Sequence, residues 1–385
     1  MTQKSLPKIL LSALRSRQPQ MLDLLRELVL IESPSTEKAA TDHCCGFLAD
    51  QWMLRGGITH ILEREHRGNH LRVVWPPANA KPGGQLLVLG HYDTVYPVGT
   101  LAKMPFRVSA GKAFGPGTFD MKAGIVHALF AFELLQELKV PVTKNIVFLW
   151  TSDEEIGSES SRSLIEAEAK RSDAVFVLEP SLGPKGFLKT SRKGVGEAEL
   201  TVHGRASHAG LAPEKGINAI HELAAQITKI EKWNDHRRGV TINADIVEGG
   251  SRTNVVAEHA KATLDLRAWR SSDMHKLEKR LHALKPVHRG AKLEITGGFD
   301  RPPLERKNSA ALFARAKSLA RQMGISINEA AAGGGSDGNF TAALGIPTLD
   351  GLGAVGDGAH STHEHVVIKN MPERAALLAA LLATS

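Results

Sequence analysis

Along the first half of the chain, short unbroken apolar runs alternate with stretches in which apolar residues recur at every third or fourth position. "QLLVLG" (85–90), "NIVFLWT" (145–151) and "AVFVL" (174–178) are runs of the first kind. A strand covered on both faces reads this way because neither side meets water, whereas a half-exposed strand alternates. "TEKAATDHCCGFLADQWML", "AGIVHALFAFELLQEL" and "SSRSLIEAEAKR" are of the second kind and predict helices. Strands and helices taken in turn predict an α/β fold, a mixed and mostly parallel sheet flanked by helices. A later stretch, "GIPTLDGLG" (345–353), predicts a further strand running into a glycine-rich loop.

Between about Leu188 and Phe299 the pattern changes. "VGEAELTVHG" and "HAKATLDLRAW" alternate apolar with polar residues, as half-exposed antiparallel strands do. The helical stretches "GINAIHELAAQITKIEKW" and "DMHKLEKRLHALK" lie between and after them. The expectation is a compact α+β insert over 188–299, interrupting an α/β domain built from 1–187 and 300–385. No internal repeat or low-complexity tract is visible.

Composition changes this picture little. A chain of 385 residues, 42% apolar and 23% charged, is long enough for two ordinary globular domains. No apolar run approaches the roughly 18 residues of a membrane span. The opening "MTQKSLPKILLSALRSRQ" is too brief and too interrupted in its apolar patch for a secretory signal, so a cytoplasmic setting is expected. Cys44 and Cys45 are neighbours on a predicted helix and point in different directions, which disfavours a disulfide and suits small buried hydrophobes in a reducing compartment. The net charge of +7 is scattered, and the densest basic cluster, His236 to Gly239, holds two arginines. With aromatics at 5%, neither a phosphate-tracking stripe nor a stacking platform is visible, so no specific nucleic-acid partner is expected. A mild basic excess suits a small anionic substrate equally well.

The candidate chemistry lies just beyond the buried runs. His91 and Asp93 follow the first, Asp153, Glu154 and Glu155 the second, and Glu179 the third. In an open parallel sheet the carboxyl ends of the strands border the ligand-binding crevice. Asp120 in "GPGTFDMKAG" and His360 in "GDGAHSTHEH" add to them. Singly, each has an ordinary explanation: a hydrogen-bonded strand-end pair, a helix N-terminus or N-cap, a solvated loop residue, a surface histidine tract. As a set they crowd carboxylates that would raise one another's pKa unless a cation lay between them. No lysine or arginine cluster is interleaved with them in sequence. Imidazole nitrogen and carboxylate oxygen are common zinc donors, and a carboxylate can bridge two ions about 3.5–4 Å apart. The set therefore points to divalent metal.

"GHYDTV", "GPGTFDMKAG", "TSDEEIGS", "VLEP", "RASHAG", "GGGSD" and "GAHSTHEHV" occur in that order between Leu86 and Val367. This ordered set resembles the co-catalytic zinc metallopeptidases that include aminoacylases, acetylornithine and succinyl-diaminopimelate deacylases, and glutamate carboxypeptidases. The resemblance implies two zinc ions per chain, with cobalt or manganese as possible substitutes. Asp120 would bridge both ions, His91 and Glu179 completing one site and Glu155 and His360 the other. Asp93 would orient His91, Asp153 would be a cap or support, and the Asp120–Met121 peptide would be cis. Glu154 would be the general base, passing a proton from the attacking water to the leaving amine.

The insert would be a dimerisation domain pairing through a helix and an edge strand to make a homodimer. His208 of "RASHAG" would reach the partner's active site and stabilise the oxyanion. Asn254 in "RTNVVAE" matches a substrate-contact asparagine, although the proline usual after it is Ala257 here. Arg267 would take the substrate's free α-carboxylate, the alternative being a surface ion pair. Gly334 in "GGGSDG" would form a wall of the cleft, approached by backbone; a P-loop is excluded because the lysine and the strand–loop–helix context are missing. The texture is nearest the glutamate carboxypeptidase branch, which implies release of a carboxy-terminal glutamate or similar residue. An N-acyl-amino-acid deacylase is the alternative, and a catalytically silent binding protein on the same fold is the alternative of another class.

Overall fold

The structure, a computed structural model, describes residues 5–78 and 84–385. The chain forms two compact units. The first comprises Met1–Thr190, Arg306–Ala331 and Ser336–Ser385, and the second Ser191–Glu305 with Ala332–Gly335. The change of unit thus falls at 190/191 and 305/306, against the 188–299 expected. A four-residue return at 332–335 has no counterpart in the residue pattern, because it is too short to carry a periodicity.

The first unit is built on a six-stranded sheet. In spatial order its strands are Ile58–Leu62, His70–Trp75, Asn145–Thr151, Gln85–His91, Ala174–Val177 and Thr348–Leu349. The last four run parallel, and the first two are antiparallel additions at one edge. The strand predicted in 345–353 shrinks to Thr348–Leu349. Leu86, Val88, Ile146, Phe148 and Phe176 enter one hydrophobic core, while Leu87, Leu89, Val147, Leu149, Val175 and Val177 enter another. That is why these segments read as unbroken apolar runs: alternate residues serve opposite faces and both faces are covered. The larger core includes the helices Ala123–Glu137 and Met371–Thr384, apolar almost all round because both are buried almost all round. The smaller is closed by Arg162–Lys170 and Gly338–Ala343 through Ile165, Ala169 and Phe340. Each fully buried Leu, Val or Phe contributes about 1.5–3 kcal/mol.

A small antiparallel sheet in the same unit aligns Arg107–Ser109, Lys112–Phe114, His365–Val367 and Gly356–Asp357. His365 lies opposite Phe114. The segment leaving Phe114 and the segment entering His365 are thereby set side by side. Both carry candidate site residues.

The second unit is a four-stranded antiparallel sheet in the order Thr241–Gly249, His259–Ala268, Gly194–His203, Lys292–Arg301. Leu200, Val202 and Leu264 pack on Leu223 and Leu277 of the helices Ala219–Glu231 and Ser271–His282. The alternating register leaves Glu199, Lys261, Asp265 and Arg267 on the other side of the sheet. The Asn218 side chain caps its helix, accepting from the N–H groups of Ile220 and His221.

Cys44 and Cys45 are free and buried. Burial pushes the Cys45 thiol up to about 12, so it packs as a small hydrophobe. Among the described residues no helix is long and apolar enough to cross a membrane.

Candidate metal centre

Three parallel strands end level. His91 is in register with Thr151, and Leu89 with Val177, which sets Glu179, two residues beyond Val177, at the height of His91. Asp120 arrives from the kinked segment Thr118–Lys122 that precedes the helix Ala123–Glu137, and the Asp120–Met121 peptide bond is cis. The Asp120 side chain caps no helix. His360 stands in a turn ahead of His365–Val367 with a φ of 60°, a left-handed conformation uncommon for a residue other than glycine.

These residues form two sets that share one carboxylate: His91, Asp120 and Glu179, and Asp120, Glu155 and His360. His91 Nε2 lies 3.4 Å from Asp120 Oδ1 and 3.4 Å from Glu179 Oε1. His360 Nε2 lies 3.0 Å from Glu155 Oε2 and 3.6 Å from Asp120 Oδ2. Asp120 therefore turns one oxygen to each set. Donors held about 2.0–2.1 Å from one tetrahedral ion stand roughly 3.3 Å apart, close to these separations. His91 Nε2 and Asp120 Oδ1 are buried without a hydrogen-bond partner. Orphaned polar atoms are costly, and a cation between them would satisfy both. The residues fit the metal the fold implies.

Asp93 organises this edge. The Nδ1 of His91 is 3.1 Å from the Asp93 backbone oxygen and 3.3 Å from its Oδ1, so Nδ1 carries the proton and the Nε2 lone pair faces the ligand set. The Asp93 carboxylate also accepts from the N–H groups of Glu154 and Glu155, at 3.3 and 3.2 Å, and from the Ser35 hydroxyl at 2.6 Å. Glu155 thereby joins a ligand set while Glu154, one residue earlier, joins neither. The acidic stretch forms only a short 3₁₀ turn, Glu154–Ile156, with no side-chain cap. Asp153 is a support, its Oδ2 accepting from the N–H and the hydroxyl of Ser160, both at 2.7 Å.

Protons show where positive charge is wanted. The hydrogen bond to Glu155 leads in pushing His360 up to about 9. Burial opposes a charge on His91, yet the surrounding acids Asp120, Asp93 and Glu179 together raise it well above the ordinary histidine value. Burial, reinforced by the Asp120 charge, raises the Glu155 carboxyl. A metal entering such a set displaces protons from its ligands.

Several residues on which the site depends escaped the sequence pattern. Lys189, ten residues after Glu179, brings its Nζ to 3.8 Å from Glu179 Oε2, so one lysine does approach the acids. Asp337 of "GGGSDG" is buried and accepts from the hydroxyls of Ser158 and, at 3.4 Å, Thr151, holding the far end of the acidic turn. Glu364 is buried within the "HSTHEH" tract. Its spacing of four from His360 is the only visible trace of it.

In the second unit, His208 is exposed, and its Nδ1 accepts from the N–H groups of Gly210 and Leu211, each at 3.1 Å. A neutral ring held this way keeps its proton on Nε2. His208 bridges to Val255, and the Asn254 carbonyl accepts from Ala209 N–H at 2.9 Å, so these two predicted residues are brought together. Arg267 is engaged by Asp265, with Nε–Oδ2 at 2.9 Å and Nη2–Oδ2 at 2.7 Å. The ion-pair alternative is thus the contact it makes within the chain. The Gly334 carbonyl accepts from Arg192 Nη1 at 3.1 Å, and a Cβ on Gly334 would meet nothing within 4 Å. Among the described residues no atom occupies the space of its Cβ, so the chain itself does not require a glycine there. The strand Glu329–Ala332 and the helix Gly338–Ala343 flank the loop in the chain, so the strand–loop–helix context expected to be missing is present and the absent lysine alone excludes a P-loop.

Residues 87–384 match the family model described as Peptidase family M20/M25/M40. The chain belongs to this family. Carboxypeptidase G2 from Pseudomonas sp. (strain RS-16) is 31% identical over 381 residues, covering 97% of this chain and 91% of the relative. Succinyl-diaminopimelate desuccinylase from Paraburkholderia xenovorans (strain LB400) is 27% identical over 348 residues, 86% of this chain and 90% of the relative. Among solved structures, aminopeptidase PepT from Bacillus cereus ATCC 10987 superposes with a TM-score of 0.80 at 24% identity, covering 95% of this chain and 98% of PepT. The M20 family metallo-carboxypeptidase Sso-CP2 from Sulfolobus solfataricus gives 0.70 at 21% identity, with coverage of 94% and 98%. The fold is that of the M20 peptidases, and the protein is a metallopeptidase-type hydrolase.

Proposed function

We propose that this M20 hydrolase binds two zinc ions and cleaves the amide bond to an amino acid with a free carboxylate, releasing a carboxy-terminal glutamate or similar residue from a peptide, folate-like or N-acyl donor. The observation that carries this reading is the pair of ligand sets sharing Asp120, each with one imidazole and two carboxylates. The similarity to carboxypeptidase G2 along 97% of the chain supports the carboxypeptidase branch over the others.

Bound there, the two cations would supply Lewis acidity to polarise the scissile carbonyl and to lower the pKa of a water. Glu154 takes the proton from the attacking water and delivers it to the leaving nitrogen, as a carboxylate outside both ligand sets can. Asp93 holds His91 and the backbone of Glu154 and Glu155 in one frame, so that base and ligands keep a fixed relation. His208 offers its Nε2–H to the developing oxyanion, across a homodimer in this reading. A substrate α-carboxylate bound by Arg267 would have to displace Asp265 or take the remaining Nη1. Asn254 and Gly334 complete the proposed substrate contacts. Two buried free cysteines suit a reducing, cytoplasmic setting.

A second reading, N-acyl-amino-acid deacylation, is favoured by the similarity to succinyl-diaminopimelate desuccinylase. Zinc-loaded protein incubated with dipeptides and N-acyl amino acids, varied at the carboxy-terminal residue, separates the two by mass spectrometry of the products. Release of glutamate from several different donors supports the carboxypeptidase. Turnover limited to one acyl group, whatever amino acid carries it, would replace it with the deacylase.

A further inference from the structure

Glu364 is fully buried, yet its carboxylate accepts from four donors. Oε1 receives the N–H groups of Phe119 at 2.7 Å and Asp120 at 2.9 Å; Oε2 receives the N–H of Gly117 at 3.1 Å and the Tyr96 hydroxyl at 2.7 Å. The small sheet explains the meeting. With His365 paired to Phe114, Glu364 stands just before one strand and faces the loop that leaves the other. Within that loop the N–H groups of Thr118 and Lys122 reach the carbonyls of Gly115 and Gly117, at 3.3 and 3.0 Å, whereas those of Gly117, Phe119 and Asp120 turn to Glu364. Gly117 has a φ of 71°, and a Cβ there would lie 2.6 Å from Thr94 Cγ2. Its buried N–H groups need an acceptor, and Glu364 is the one they share.

We propose that Glu364 is the positioning residue for the shared carboxylate, fixing the backbone on which Asp120 stands and so holding both ligand sets at once. Asp120 sends Oδ1 toward His91 and Oδ2 toward His360, and any shift of its backbone therefore spoils both geometries. The segment 360–364 contributes twice, since it also supplies His360. Loss of His360 strips one set only. Loss of Glu364 loosens both together. In Glu364→Gln one oxygen can still serve Phe119 and Asp120, but an NH₂ group is set against the N–H of Gly117.

The proposal rests on the two-cation reading, and the test separates their failures. Metal-free wild type, Glu364→Gln, Tyr96→Phe and His360→Ala are titrated with Zn²⁺ against a competing chelator. Bound ions are counted by elemental analysis, Co²⁺ absorption reports ligand geometry, and the unfolding midpoint of each metal-free protein gives the structural baseline. Wild type is expected to bind two ions. His360→Ala should keep one tightly, while Glu364→Gln loses about 10- to 100-fold in affinity for both in step, with an altered Co²⁺ spectrum. Tyr96→Phe, short of one donor, should move both affinities the same way by a smaller factor. Wild-type affinity for either ion in Glu364→Gln would overturn the proposal, as would a fall in the metal-free midpoint with both affinities intact. Should Glu364→Gln fail to fold, two unchanged affinities in Tyr96→Phe do the same. A single ion in wild type would instead overturn the two-cation reading.

Discussion

The end of the first unit's parallel sheet and the outer side of the second unit's antiparallel sheet are both dense in carboxylates, yet they treat charge in opposite ways. At the first, Asp93, Glu179 and Glu364 are buried, and their oxygens are met by backbone N–H groups, hydroxyls, the Nδ1 of His91 and one lysine. At the second, Glu199 and Glu248 share Lys261 at 3.2 and 3.8 Å, Glu294 meets His203 at 3.3 Å, and Asp265 meets Arg267, all with substantial exposure to solvent. Water screens those pairs, and each contributes little. Desolvated acids have no such relief, so every oxygen needs a dedicated partner. Three buried atoms at the first edge, His91 Nε2, Asp120 Oδ1 and Asp153 Oδ1, have no hydrogen-bond partner among the described residues, and the first two face each other. Acid density alone does not mark a site; what marks this one is the remainder after all other partners are assigned.

The comparison is broken most directly at Asp120. Asp120→Asn should lose both metals and reduce hydrolysis to background, and full zinc occupancy on elemental analysis would remove its bridging role. Next comes Glu154→Gln, expected to keep both ions while turnover falls about 10²- to 10⁴-fold. Normal turnover in that variant would put the base elsewhere. His208→Ala should lower turnover with metal content intact, and mixing it with Glu154→Gln should restore part of the activity if sites are shared across a dimer. Absence of complementation would make each site the work of one chain.

His127 gives a smaller effect, on stability. Burial, with the nearby Arg374 charge, holds this histidine down to about 3, and both ring nitrogens lack partners. Its folded pKa lies below the unfolded value, so its contribution is whole above about pH 6.5 and is lost as pH falls from there toward 3. The loss approaches about 1.4 kcal/mol per pH unit below 6. Metal-free wild type and His127→Phe, compared by denaturant unfolding at pH 7.5 and 5, should differ in pH slope, the variant being flatter; equal slopes would exclude this source. Smallest is the exposed side of the comparison. Glu294→Gln should leave stability within about 0.5 kcal/mol, checked by the thermal midpoint. A larger loss would mean that solvated acids matter more than argued.

Much of this was readable from the residues alone. Three strands announced themselves as continuous apolar runs because they are buried on both faces, and their ends carried His91, Glu155 and Glu179. The anchors were not readable. Asp337 bonds Ser158, 179 residues away, and Glu364 bonds backbone groups some 244 residues distant, so neither leaves a local spacing. A backbone N–H has no residue type, and its acceptor cannot be guessed from its neighbours. The edge strands Thr241–Gly249 and Lys292–Arg301 are not legible in the sequence either, because they are largely exposed and carry weak alternation. Arg267 illustrates the converse: its residue type allowed two roles, and the structure supplies Asp265 for one of them.

One consequence of the level strand ends concerns insertions and deletions. His91 shares its side of the strand with Leu87 and Leu89, and each residue advances the chain by about 3.3 Å. Removing a single apolar residue from 86–89 would leave a plausible strand by composition, yet it would exchange the two cores' contents and aim the imidazole away from Asp120. The number of residues in these strands, and not only their identity, therefore decides whether the two ligand sets can form.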